Sequence, residues 1–313
     1  METFLKELLS TAQTLLDNEY ILEYSPDTKN NHFTLPAVKA VSADGTHAFS
    51  LSLGNAYEVY KAGRSSVPEI AGVLANKIRE GNVSKNTMPD LSDYNAIKDS
   101  IKAAVINYEA NLDYLKERPH VPFLDLAIVF IYNFPINETI NGTLHISNRH
   151  LKEWNMDSKN FIMQHLHNIS RNAMPFIMDT TDFMLNIAQK LRLPADDPIL
   201  QDLQHALPGK LFTFSLYGTP YGAGVLLHTS ALQKFAEERN ANLFIFPSSI
   251  YEILVQPETA AGVPYMTAED VADINLTQVR PDERLSNSIY YYDRHARELT
   301  IYEQGISFSQ MPM

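Results

Sequence analysis

His165 and His167, two positions apart, are the nearest approach to a metal motif in this chain. Imidazole is a good zinc ligand. However, the apolar periodicity predicts a helix from Asp157 to about Asn172, and two residues on a helix lie about 200° apart around its axis. The pair therefore reads as structural, and no metal site is expected. His145 and His150 fall on a strand and in the turn after it, so they can share a site only if the fold happens to bring them together.

The run Phe246-Pro247-Ser248-Ser249-Ile250-Tyr251-Glu252 has more chemical content. A strand is expected to end at Phe246. Ser248 or Ser249 suits the cap of a following helix, and Glu252, three residues after Ser249, completes a capping box. A strand end facing a helix N-terminus also offers free N–H groups to an anion. A serine nucleophile would need an adjacent base; the local sequence supplies none, and no Gly-x-Ser-x-Gly elbow occurs. The glycine-rich stretch Tyr217 to Gly224 lacks the Gly-Lys-Ser/Thr ending of a phosphate loop, and tight turns explain it.

Tyr290-Tyr291-Tyr292-Asp293-Arg294-His295 reads as a strand running into a turn, its tyrosines alternating between faces. Asp293 and Arg294 suit pairing with neighbours. Tyrosine offers large area and a polar tip, so an exposed tyrosine edge here would mark a partner surface. The candidate binding surface is accordingly Tyr221, Ser248, Ser249, Glu252, Tyr292, Asp293 and Arg294.

The elements that must position these groups follow from period and punctuation. An amphipathic helix covers residues 2–17, then strands at Tyr20 to Tyr24, His32 to Val41 and His47 to Leu53, the last two joined at Asp44-Gly45. Helices follow at Leu53 to Tyr60 and Pro68 to Arg79, with Gly63 and Gly81 at their ends. Asn82 to Asp93 is the linker.

Beyond the linker, Ile101 to Asn107 reads as a strand, although the spacing of Ile97, Ile101, Ala104, Val105 and Tyr108 also fits a helix; Glu109 to Glu117 is a helix, Phe123 to Phe134 a central strand, and Thr143 to Ser147 another after an Asn141-Gly142 turn. Asp179 and Asp182 suit the start of a further helix. Pro194 to Lys210 is a loop. Strands return at Leu211 to Tyr217, Gly224 to Leu227, Leu243 to Phe246, Ile289 to Asp293 and Leu299 to Tyr302, with helices at Ser230 to Arg239 and Ala268 to Asn275. The result is an α+β fold with mixed or antiparallel sheets and flanking helices. It has an N-terminal region at 1–81 and a main domain at 94–313 that carries a helical insertion near 157–191.

Composition narrows the partners. The 313 residues carry 25 Lys+Arg against 37 Asp+Glu, a net charge of −12 that disfavours a nucleic-acid or anionic-lipid partner. The absence of cysteine excludes disulfides, thiolate nucleophiles and cysteine zinc sites. The longest apolar run, Phe123 to Phe134, falls short of the roughly 20 residues that span a bilayer. The first helix lacks the uninterrupted apolar core of a signal peptide. A cytoplasmic protein is expected.

Three segments carry a family resemblance: Pro119-His120-x-Pro122-Phe123-Leu124-Asp125-Leu126-Ala127-Ile128-Val129, Leu243 to Glu252, and Leu285-Ser286-x-x-Ile289-Tyr290-x-Tyr292-Asp293-Arg294. Over most of its length the chain resembles a bacterial family of uncharacterised function, a domain of unknown function. Many of its members carry histidine where this chain has Tyr251, which weakens any mechanism needing an imidazole there. Asn148-x-x-Leu151-x-x-Trp154-Asn155 with Tyr221-Gly222-Ala223 more faintly resembles a second such family, implying a shared α+β module and no chemistry. The expectation is a non-catalytic protein that binds a protein or small ligand and needs no cofactor. The alternative is a hydrolase or transferase built on Ser248 or Ser249, Glu252 and Asp293.

Overall fold

The computed structural model describes residues 1–43, 45, 48–81, 91–135, 141–169, 174–190, 194 and 210–303. The chain forms two compact units, Met1–Leu91 with Phe134–Gly142, and Ser92–Asn133 with Thr143–Met313. Its antiparallel sheets and numerous helices make it α+β.

In the first unit, α1 (Glu2–Leu15) packs on α3 (Val67–Gly81), which follows the short helix α2 (Ala56–Lys61), and on the antiparallel sheet β1 (Tyr20–Tyr24), β4 (Ala37–Ser42), β5 (Ala48–Ser52); β2 (Asp27–Thr28) and β3 (Thr34–Leu35) pair with each other. Helical spacing sends Phe4, Leu5, Leu8 and Ala12 inward to meet Ala71, Leu74, Ala75 and Ile78. On β1 the two-residue period buries Tyr20 and Leu22 and turns Ile21 and Glu23 outward. The β4–β5 register, Val41 opposite Ala48, places Gly45 in the connecting turn with φ +69°, a conformation glycine adopts freely. Asp44 and residues 82–90 of the linker lie outside the described residues.

The second unit holds two sheets. In the first, β8 (Leu126–Pro135) is the central strand; it pairs with β6 (Ile101–Asn107), β7 (Val121–Phe123) and β9 (Asn141–His145). Its near-continuous apolar run suits a strand buried on both faces. The second sheet is fully antiparallel, with its strands in the order Pro175–Asp179, Phe212–Leu216, Ile253–Pro257, Leu243–Phe246, Tyr290–Asp293, Glu298–Ile301, here β10, β11, β13, β12, β14 and β15. Cross-strand neighbours give it two apolar faces. Phe212 and Phe214 meet Phe235 of the helix Thr229–Arg239, and Phe244 and Phe246 cluster with Val271 of the helix Ala268–Gln278.

Several expectations are corrected. The helix begun by Asp157, which accepts from the Asn160 amide, ends at His167. Pro175 opens β10, so the stretch near 157–191 carries, between the helices Ser158–His167 and Thr180–Lys190, an edge strand of the larger sheet. Asn141 and Gly142 belong to β9 itself. Gly222–Leu227 is a 3-10 helix where a strand was expected from Gly224. It is wedged between β11 and β6, and a methyl at Gly224 would already lie 3.3 Å from the Ala103 carbonyl and from Leu216 Cδ1. Most of the Pro194 to Lys210 loop lies outside the described residues.

Candidate functional site

The Pro247 to Glu252 segment is a turn that runs straight into β13; no helix follows it. The capping-box pattern is overridden because Ile253 and Val255 bury themselves, and Leu254 does so in part, on a strand paired between β11 and β12, an environment local propensity does not register. Ser249 is buried, and its Oγ accepts from the Tyr251 amide at 3.1 Å. The Leu285 amide donates to the Ser248 carbonyl at 3.0 Å and the Ser286 amide to that of Pro247 at 2.9 Å. The turn is thus zipped onto residues 284–286, and the helix N-terminus that would have faced an anion does not exist.

Beneath the turn lies the glycine-rich segment. Ser215 Oγ donates to the Tyr251 carbonyl at 2.8 Å, and the Ala223 amide to that of Ile250 at 3.1 Å. Gly222 sits where any Cβ would overlap both Ser215 Oγ and the Tyr251 carbonyl oxygen. Two stretches that the sequence singled out separately are therefore one seam. Tyr221, half-buried, packs against the core of the smaller sheet, and its hydroxyl lies 3.0 Å from His145 Nε2. Burial holds its phenol above the ordinary range, with Tyr114, Tyr251 and Asp282 adding to the effect.

Tyr251 is the exposed member, at 41%. Its hydroxyl donates to Glu283 Oε1 at 3.0 Å. Burial of that hydroxyl and its bond to Glu283 push the phenol up to about 12, and Arg280 acts in the opposite sense. Burial raises the Glu252 carboxyl too, assisted by Glu283 and opposed by Ser249.

Tyr292, Asp293 and Arg294 do not join this seam. Tyr292 is only 1% exposed and donates to Gln233 Oε1 at 2.7 Å, so it is a core residue and not a partner surface. Asp293 accepts from the amides of His295 and Ala296 in the β14–β15 turn. The Arg294 amide donates to Asn242 Oδ1 at 3.1 Å. Because β12 runs antiparallel to β14 with Leu243 opposite Tyr292, Asp293 sits at the Asn242 end of β12 and Ser249 lies beyond its other end. The convergence of Ser249, Glu252 and Asp293 that a hydrolase or transferase would need is not met.

What does converge is a clasp that sequence reasoning passed over. Asp125 Oδ2 accepts from Ser286 Oγ at 2.6 Å and Ser288 Oγ at 2.8 Å, and Asp125 Oδ1 accepts from the Tyr290 hydroxyl. Asp125 stands in the first family-like segment and Ser286 and Tyr290 in the third, so the available signal was their joint membership in the resemblance. The histidines divide as the helix requires. His165 is buried with its Nε2 3.0 Å from the Tyr94 hydroxyl, and burial pushes its imidazole down to about 4. His150 lies in the helix Asn148–Glu153, not in a turn, and accepts from the Ser147 amide at 3.0 Å. Among the described residues, no group of three or more His, Asp and Glu side chains is disposed to hold a metal ion.

Residues 1–294 match the model of DUF5688, a family of unknown function. No curated protein and no solved structure matches the chain.

Proposed function

We propose, for a chain that belongs to the DUF5688 family of unknown function, that it works by binding a protein or small ligand without turning over a substrate, and that Tyr251 is the centre of its docking surface. The disposition of the Pro247 to Glu252 turn supports this reading. The turn's main chain and the Ser249 hydroxyl are bonded inward, while the Tyr251 ring stands at the surface with its hydroxyl held by Glu283. A tyrosine already held in one position offers contact area at little further entropic cost. Arg280, which pairs with Asp282 at 3.1 Å and Glu283 at 3.4 Å, supplies a charged rim.

A cytoplasmic, bacterial setting belongs to the same reading. Its support is that the first helix is an integral part of a folded unit, burying Phe4, Leu5 and Leu8 in its core, together with the family resemblance. Among the described residues no helix is long and apolar enough to cross a membrane. Net charge opposes a partner that presents a phosphate track.

Cross-linking in the native host followed by quantitative mass spectrometry tests the docking surface. Tyr251→Ala should deplete at least one partner on the order of tenfold, the loss expected of a hot-spot tyrosine. Tyr217→Ala, at another exposed tyrosine (58%), should not. Identical profiles for wild type and Tyr251→Ala would remove the proposal.

A further inference from the structure

One cleft of the second unit, about 510 Å³ in volume, is walled by Lys116, Arg118, His120 and Lys152, with no carboxylate among its lining residues. In a chain of net charge −12 such a local excess of cations is unexpected on composition alone. We propose that this cleft binds a small phosphate-bearing molecule, with Arg118, Lys116 and Lys152 meeting the phosphate and the apolar side chains of Leu115, Leu151 and Met156 receiving the rest of the ligand. The proposal goes beyond the Tyr251 docking surface and does not depend on it.

The walls are held in place by main-chain bonds. The Asn148 amide donates to the Glu117 carbonyl at 2.8 Å and its Nδ2 to that of Lys116 at 3.2 Å, tying the 115–120 wall to the start of the 148–158 wall. The Arg118 amide closes on the Leu115 carbonyl at 3.1 Å, and that of Met156 on Leu151 at 2.8 Å. A volume of this size lies within the range of small-molecule sites, and pre-formed walls spare a ligand the cost of ordering them.

Arg118 is the group that points to an anion. Its guanidinium lies 3.5 Å over the Tyr114 ring, and Nη1 donates to the Tyr114 carbonyl at 3.0 Å, which fixes its plane. Its Nε is buried and has no hydrogen-bond partner among the described residues. A guanidinium fixed in one plane presents a fork that matches phosphate oxygens. His120 Nδ1 donates to the Arg118 carbonyl at 2.9 Å, which orients its ring and leaves Nε2 for a ligand. Lys152 makes no ion pair among the described residues, and Lys116 pairs only with Asp113, both ends more than 70% exposed, so that pair is readily exchanged.

Three cationic side chains around one cavity suit a dianionic phosphate better than a single carboxylate. A nucleic-acid strand would need a longer run of cations to follow its backbone.

Titration calorimetry on the full chain decides the matter, with phenyl phosphate as probe. Binding at about 1 mM or tighter is expected. Lys116→Gln with Lys152→Gln, both at exposed positions that leave the fold intact, should weaken it by about tenfold or more, as should Arg118→Gln. Lys234→Gln, which removes the same charge beside a different cleft, should leave it unchanged. No heat at about 10 mM phenyl phosphate, or an affinity that the double variant leaves intact, overturns the site. A short single-stranded RNA that binds more tightly than phenyl phosphate and is weakened by the same substitutions overturns the small-molecule assignment. Tyr251→Ala should bind phenyl phosphate as wild type does, so failure of the docking surface and failure of the cleft are read separately.

Discussion

Gly222 shows how much one missing methyl group can decide. The Tyr251 carbonyl and the Ser215 hydroxyl both occupy the space a Cβ would take, so the 3-10 segment and the Tyr251 turn approach each other only because position 222 has no side chain. Ser215 can rotate away from an added methyl, but a backbone carbonyl tied into the turn cannot. Gly222→Ala should therefore destabilise the chain by about 1–3 kcal/mol, the usual cost of overpacking a filled site. Urea unfolding measures it, and a midpoint equal to wild type would mean that the seam is looser than its geometry.

At the level of elements, the β7–β8 hairpin is closed by two residues, Leu124 and Asp125, and Leu124 carries φ +55°. That conformation is unfavourable for a residue with a Cβ, and surrounding contacts must hold it. The Asp125 clasp does so, fastening the hairpin turn to the segment that leads into β14. Asp125→Ala would leave three hydroxyl groups without their acceptor, two of them on residues at most 3% exposed. A loss of about 1–3 kcal/mol is expected. Tyr290→Phe, which removes one donor and leaves the acceptor served, should cost less. The reverse order in denaturation experiments would show that the clasp contributes little.

For the molecule as a whole, pH acts through its buried histidines. His165 lies against Phe161, Phe130 and Tyr94, and burial holds its imidazole near 4, well below the ordinary value of 6.5. A group with a depressed folded-state pKa binds its proton more readily when unfolded. Its contribution is therefore complete above about 6.5 and is lost progressively as pH falls toward 4. Burial lowers His150 and His228 as well, with the same sign. Glu252, raised by burial, acts in the opposite sense. Unfolding free energy should be lower at about pH 5 than at pH 7. His165→Gln, which cannot titrate, should narrow that difference; an equal difference in the variant would assign the effect to other groups.

Local pattern carried a good deal of this protein. The α+β class, the first helix, the β4–β5 hairpin, β8 and β12 were all legible, because each is marked by its own local run or period of apolar residues, whereas the apolar spacing over β6 fits a helix as well. So was the separation of His165 from His167, which follows from helical rotation alone. The rest depends on partners distant in the chain. Ser249 and Glu252 look like a helix start until β11 and β12 claim the residues after them. Tyr292 is buried because Gln233 meets it from a helix 59 residues earlier. Asp125 reaches Ser286 across 161 positions, and the cationic cleft joins two walls about 30 residues apart. Period and propensity act over a few residues, whereas burial and pairing are settled only when strands choose their neighbours. Tertiary structure alone therefore decided which of the singled-out side chains reached the surface.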